Sequence, residues 1–500
     1  MGRVLVLGLD GADKTLLLRW ANDGTLPTIG SLMETGAWCT VENPPGLFAG
    51  SVWPSFFTGV SPARHGKYCS NQIETGTYDD HRVHGFDPCF HTIWDVLSND
   101  GKTVAIIDAP KSEVSRDLNG IQVVDWGTED FDIELRSCPP ELAREIRRKY
   151  GQNTIVESDI DNTDARSLQR LRDELLSRLR KKSALSAEIF AQSRWDFFFT
   201  LFTEVHTAGH VCWHLHDVDH PRFDEALFGS VGDIVRDVYV ATDSVLRGFI
   251  EQAGADTNIF VYSVNGMGAN YTGIHLLDDI LLARDHMQLS GGRHALARTA
   301  NWIDRRIPGP IYERSYSLQR SIRRALSLPV RDRQFRSAFQ VPTNAVIGGV
   351  RLNLIGREPD GIIEERDYDA FCQRLSGILA GLVNVDTGNS AICRVIQTRQ
   401  VFAGKHIMDL PDILVEWAQD APISSVYSSE TGLVSKELST HRTGDHRSDG
   451  VLFAIGPQQR RGAIAESISI YDLAPTISSL LGCDFPDADG VDASYQLGLS

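Results

Sequence analysis

The sequence predicts an α/β protein with a mostly parallel central sheet flanked by helices and interrupted by an inserted cap. Three observations lead there. Short β-branched, apolar runs recur at residues 4–9, 103–107, 197–202, 259–263 and 451–455, the pattern of strands covered on both faces. Helical stretches separate them, so the strands alternate with helices as in a parallel sheet. Between 278 and 345 the strand signal fades and cations gather, among them Arg305, Arg306, Arg320, Arg323, Arg324, Arg331 and Arg333.

The clearest helix spans 164–192, where Leu168, Leu171, Leu175, Leu176 and Leu179 return at helical spacing among Arg, Lys and Glu. The expected organisation is a core in two parts, residues 1–277 and 401–500, around an insert at 278–400. The basic content of the insert either faces an anionic substrate or marks a solvated helical excursion.

The 500 residues are 42% hydrophobic and 23% charged, enough for a sizeable core. A formal net charge of −17 argues against a protein that grips duplex nucleic acid through a basic surface. It leaves room for a small anionic substrate, because one bound cation reverses the local field. None of the eight cysteines forms a Cys-x-x-Cys pair, so reduced structural thiols are expected rather than a zinc knuckle. No run of ~20 apolar residues occurs, so no membrane span is expected. The apolar run before Asp10 is too short for a signal segment, and a cytoplasmic location is the expectation.

Ligands of parallel sheets bind beyond the carboxyl ends of the strands. There the sequence places Asp10-Gly11, then Thr203-Glu204-Val205-His206-Thr207-Ala208-Gly209-His210, then Val264-Asn265-Gly266-Met267. His441-Arg442-Thr443-Gly444-Asp445-His446 precedes the 451–455 run. On a helix turn, His206 and His210 share one face and can share a metal. Such a pair by itself is more often solvated or hydrogen-bonded, but its position after a buried strand, with Asp10 and His446 at comparable places, favours the metal. Ser51 opens a short helix ending in Thr58-Gly59, where a hydroxyl serves as an N-cap or as a nucleophile.

Together these segments resemble the type I phosphodiesterase/nucleotide pyrophosphatase branch of the alkaline phosphatase superfamily. The resemblance rests on Leu7-Gly8-Leu9-Asp10-Gly11, Leu26-Pro27-Thr28-Ile29, Phe57-Thr58-Gly59 with Pro62-Ala63-Arg64-His65-Gly66, and Gly444-Asp445-His446. Arg351-Leu352-Asn353-Leu354 with Gly356-Arg357-Glu358-Pro359 and Asp472-Leu473-Ala474-Pro475-Thr476 extend it over nearly the whole chain, with bacterial members in particular. It implies an alkaline phosphatase-like core with two divalent cations, usually zinc, that clamp a phosphoryl group and activate a Thr or Ser nucleophile.

The chain departs from that pattern in three places. An acid of the family's D-x-x-G-H is replaced by His206, which leaves a set of His206, His210 and His446 suited to one zinc, with manganese or iron as alternatives. The S-D-H-G-M motif reads Ser263-Val264-Asn265-Gly266-Met267, so the second position keeps Asp10 and the neutral Asn265. The nucleophile position falls on Ala49, with Ser51 nearby. The expectation is a metal-dependent phosphodiesterase-like hydrolase or phosphoryl transferase acting on a small anionic ester, with Asp10 and Ser51 in catalysis and Asp10, His206, His210, His446 and Asn265 around metal. A sulfate or sulfamate ester enzyme and an inactive ligand-binding protein are the alternatives.

Overall fold

The computed structural model describes residues 2–83, 90–127, 134–151, 155, 157, 160–287, 332–344, 346–459 and 467–499. Of the basic residues noted in the insert, Arg305, Arg306, Arg320, Arg323, Arg324 and Arg331 lie outside the described residues. The chain divides into two compact units. The first takes Met1–Lys67, His84–Asn270 and Thr440–Ser500, and the second takes Tyr68–Val83 and Tyr271–Ser439.

The first unit is built on a nine-stranded sheet. In chain order its strands are β1 (Arg3–Leu9), β2 (Ala37–Glu42), β3 (Val104–Ile107), β4 (Gly120–Val124), β5 (Arg136–Cys138), β6 (Phe197–Phe202), β7 (Thr257–Ser263), β8 (Gly450–Ile455) and β9 (Ser467–Ser469). Across the sheet they run β9-β2-β8-β7-β1-β6-β3-β4-β5. The pairs β1/β6, β1/β7, β3/β6, β3/β4 and β2/β9 are parallel, whereas β8 runs antiparallel to β7 and β2, and β5 antiparallel to β4.

The central strands are the continuous apolar runs because helices cover both of their faces. Leu5 of β1 sits between Phe198 of β6 and Ile259 of β7, and all three side chains are buried. The 28-residue helix Ala165–Gln192 opens on Asp164, whose side chain accepts from the Ser167 N–H. Its buried face holds Leu168, Leu171, Leu175 and Leu179 as the leucine spacing predicts, but also Arg178 and Lys182. Burying a cation is costly unless it is paired, and both are paired. Arg178 Nε lies 2.9 Å from Glu204 Oε1, and Lys182 contacts Asp108.

The second unit holds a four-stranded antiparallel sheet in which Ala338–Val341, Ile347–Leu352, Ile413–Trp417 and Ile392–Gln397 follow one another. Its apolar core includes Leu352, Leu375, Ile413 and Trp417. Beside it, the Arg351…Glu358 segment forms a buried ionic network. Arg357 Nη2 lies 2.6 Å from Asp412, Arg351 Nε lies 2.6 Å from Glu358, and the Tyr368 hydroxyl donates to Asp412 at 3.1 Å. The seven described cysteines are free thiols. No helix among the described residues is long and apolar enough to cross a membrane.

Burial pushes the Asp412 carboxyl up, but the Arg357 charge and its hydrogen bonds outweigh burial and hold it below the usual aspartate range. The stability it confers is therefore complete above the unfolded value of about 4 and is lost as pH falls through the lower folded value. Asp412→Ala leaves Arg357 buried beside one fewer carboxylate and is expected to destabilise the protein by about 3 kcal/mol or more. Chemical denaturation at neutral pH measures this, and a change below about 1 kcal/mol would contradict the network's role.

Candidate metal centre

The strand directions decide which residues meet. Parallel strands β1, β3, β6 and β7 all end at one edge, where the chain continues into Asp10, Asp108, Thr203 and Val264. Because β8 is antiparallel and pairs Val451 with Ser263, its start lies at the same edge. His446, four residues before Gly450, is thereby delivered there from the far end of the sequence.

Two elements carry the histidines. The helix Glu204–His216 begins directly after β6 and is buried from Glu204 to Leu215, and its His206 and His210 sit one turn apart. The short strand Gly444–Arg447 pairs antiparallel with Gly266–Ala269, setting His446 opposite Met267. The ligand atoms of His206, His210 and His446 all lie within 4.8 Å of one another. His206 Nε2 is 3.2 Å from His210 Nε2 and 3.3 Å from His446 Nε2.

Close backbone contact makes this convergence possible. A Cβ on Gly444 would run into the Gly209 carbonyl oxygen, so only glycine lets strand and helix approach. Gly11, left-handed at φ 67°, likewise passes the ring of His206, where a Cβ would meet Cδ2 at 3.2 Å. The Gly444 carbonyl also lies 2.8 Å from His210 Nδ1. That carbonyl can only accept, so Nδ1 carries the proton and Nε2 presents a lone pair. Burial, then Arg442 and the neighbouring His206 and His446, keep the His210 imidazole well below its ordinary value and hence neutral.

Asp445 backs the group. Its carboxylate accepts the His446 N–H at 2.8 Å and stands 3.9 Å from His210 Nδ1. Burial lifts it to about 6 against the pull of Arg442. Glu204 pairs with Arg178 at the start of the helix. Arg178 Nη2 also reaches Thr203 Oγ1 at 3.2 Å, which fastens the helix where it leaves β6. Ser263 Oγ accepts from the Ala12 N–H at 2.9 Å and donates to the Asn265 carbonyl at 3.0 Å, joining the turns after β1 and β7. The contacts of Arg178 and Ser263 had no signal in the sequence, since both depend on residues brought in by other strands.

Asp10 does not join the three-histidine group. Asp10 Oδ1 takes the Trp53 indole N–H at 3.2 Å. Asn265 is 2% exposed, and its Oδ1 has no hydrogen-bond partner among the described residues. Ser51 is fully buried and its hydroxyl donates to the Leu47 carbonyl at 2.7 Å. Ala49 is half-buried in the preceding turn. His214 is buried beside Thr443, and His216 bonds Asp233 at 2.8 Å.

The donor set fits one metal. Three nitrogens bound tetrahedrally to zinc stand about 3.3 Å apart, which matches the two separations given above. A buried trio of facing imidazole nitrogens has too few protons to satisfy itself, and a cation removes the deficit. The second position does not fit: one carboxylate and one amide, flanked by apolar Val264, do little to balance a further dication. Gly444→Ala should push the strand from the helix and weaken zinc binding about 10- to 100-fold. Competition against a chromophoric chelator reads this, and unchanged affinity would show that the close approach does not set the site.

A search of curated proteins finds no match to the chain. Among solved structures, murine ectonucleotide pyrophosphatase/phosphodiesterase 5, an inactive variant in complex with AMP, aligns over 100% of both chains at 12% identity with a TM-score of 0.53. Phosphonoacetate hydrolase from Sinorhizobium meliloti 1021, in complex with phosphonoformate, aligns over 95% of this chain and 94% of its own at 13% identity with a TM-score of 0.52. At these identities the likeness is one of fold. The family model described as type I phosphodiesterase / nucleotide pyrophosphatase matches residues 4–415. The chain therefore belongs to the type I phosphodiesterase/nucleotide pyrophosphatase family of the alkaline phosphatase superfamily, a family of metal-dependent phosphoester hydrolases.

Proposed function

We propose that this member hydrolyses phosphodiesters, or transfers their phosphoryl group, with one divalent cation held by His206, His210 and His446. The observation that carries the reading is the spacing of the three Nε2 atoms, together with the neutral state of His210. Zinc is the metal the all-imidazole set favours. When bound, it would polarise a phosphoryl oxygen and acidify a water.

The remaining residues have roles that their contacts support. Asp10, with one oxygen fixed by Trp53, supplies the negative charge this reading assigns to the family's second position. The Asn265 carbonyl oxygen, buried without a hydrogen-bond partner among the described residues, is the neutral donor this reading adds to it. Water is favoured over Ser51 as the attacking group. A hydroxyl that donates to a backbone carbonyl has no base to take its proton, and the nucleophile position itself holds Ala49. Ser51 then assists by fixing the turn that carries Ala49 and Gly50. The substrate is a small anionic ester, in keeping with the AMP and phosphonoformate bound by the structural neighbours. The free thiols support a reducing compartment such as the cytoplasm.

Hydrolysis of a p-nitrophenyl phosphodiester by the zinc-loaded chain tests this. His206→Ala and His446→Ala should each lower the rate by at least about a hundredfold, whereas Ser51→Ala should keep it within about tenfold. Full activity after metal removal would overturn the reading. Stoichiometric zinc without turnover of either phosphate or sulfate esters would move it to ligand binding.

A further inference from the structure

The carboxyl edge of the sheet carries a lysine that the reading above does not use. Lys111 lies just beyond β3 in the turn Asp108-Ala109-Pro110-Lys111-Ser112. Its side chain is half-buried, and its ammonium donates to the Gly50 carbonyl at 2.8 Å. Among the described residues no carboxylate pairs with it. An ammonium has three donors, so two N–H groups remain for another acceptor.

The backbone holds Lys111 in place at a cost. Lys111 is left-handed, at φ 59°, a conformation glycine adopts freely and lysine does not. Three of the four such non-glycine residues among those described, Asp108, Lys111 and Asp125, lie in the chain that leaves β3 and β4. Strain of this kind gathers where a side chain must be aimed. The turn is also fixed, because the Asp108 carboxylate accepts the Trp126 and Gly127 N–H groups at 2.8 and 3.0 Å while it pairs with Lys182. Ser112 Oγ donates to the Ala109 carbonyl at 2.7 Å.

The partner of Lys111 gives its position meaning. Gly50 directly follows Ala49, at the family's nucleophile position, and precedes by three residues Trp53, whose indole N–H holds Asp10. The ammonium is thus anchored beside the backbone that would meet a phosphoryl group. Val264 and Asn265 remove the charge that would retain a second dication there, and a monocation on a fixed turn can replace part of its field.

We infer that Lys111 is a phosphate-binding residue whose free N–H groups take a non-bridging oxygen of the substrate's phosphoryl group. This rests on the reading of the site as one for phosphoesters. Binding of inorganic phosphate to the zinc-loaded chain, followed by calorimetry with zinc content measured on the same samples, tests it. Lys111→Met and Lys111→Gly should weaken phosphate binding about tenfold or more, with zinc content unchanged and Lys111→Arg within a few-fold of wild type. Lys111→Gly relieves the left-handed backbone and should melt no lower than Lys111→Met. Equal phosphate affinity in wild type and both variants would overturn the inference, as would absence of phosphate binding in wild type or a parallel loss of zinc in the variants. If wild type held no zinc, the one-metal reading would fail, while phosphate binding by the zinc-free chain that depends on Lys111 would still support the inference.

Discussion

Three buried imidazoles converge, with His206 Nε2 at hydrogen-bond range of both His210 and His446, and the fold around them serves to hold that meeting. His210 has spent its proton on the Gly444 carbonyl, so its Nε2 has only a lone pair to offer. Three converging nitrogens cannot all be satisfied by one another's protons, and burial keeps water from making up the difference. The arrangement persists because the helix Glu204–His216 is anchored at its start by Arg178 and pressed through Gly209 onto the strand Gly444–Arg447. The antiparallel course of β8 completes it by returning the chain to the edge where the parallel strands end. A cation in the middle turns a structural cost into a binding site.

On the proposed one-metal reading, the same charge logic sets this chain apart from a two-metal enzyme. A dication held by three neutral imidazoles keeps its full charge for a substrate anion. On that reading Asp10 and the neutral Asn265 are too little charge to retain a second one, and Val264 offers no donor. Positive charge near the substrate then has to come from the protein itself. The buried pairs Arg178–Glu204 and Lys182–Asp108 are internally balanced and contribute little net field. Lys111, unbalanced and fixed on a strained turn, is differently placed. Among the described residues, Lys111 therefore differs from these two neutralised cations in having no carboxylate paired with it.

Much of this was legible in the chain, for reasons that the structure explains. The runs at 4–9, 103–107, 197–202, 259–263 and 451–455 were readable because β1, β3, β6, β7 and β8 are buried on both faces and therefore continuously apolar. Strand β2 alternates buried and half-buried residues, and β5 and β9 are three residues long, so none of the three gives a continuous run. The leucine stripe of Ala165–Gln192 was plain, but Arg178 and Lys182 resemble the solvated charges around them. Their burial depends on Glu204 and Asp108, which pair with them only after folding. The four-residue spacing of His206 and His210 is enough by itself to put both on one helix face. The setting of His446 opposite Met267 depends on a ladder between distant segments, so the sequence pointed to that histidine only through its place before the 451–455 run and through the family resemblance. The left-handed turn at Lys111 had no sequence signal, since glycine, the usual marker of such backbone, is absent there.

Diffraction from crystals of the zinc-loaded chain, recorded on either side of the zinc absorption edge, tests the central claim most directly. The account predicts one anomalous peak per chain, about 2.1 Å from the Nε2 atoms of His206, His210 and His446. No peak there, or a second peak of equal height between Asp10 and Asn265, would contradict it.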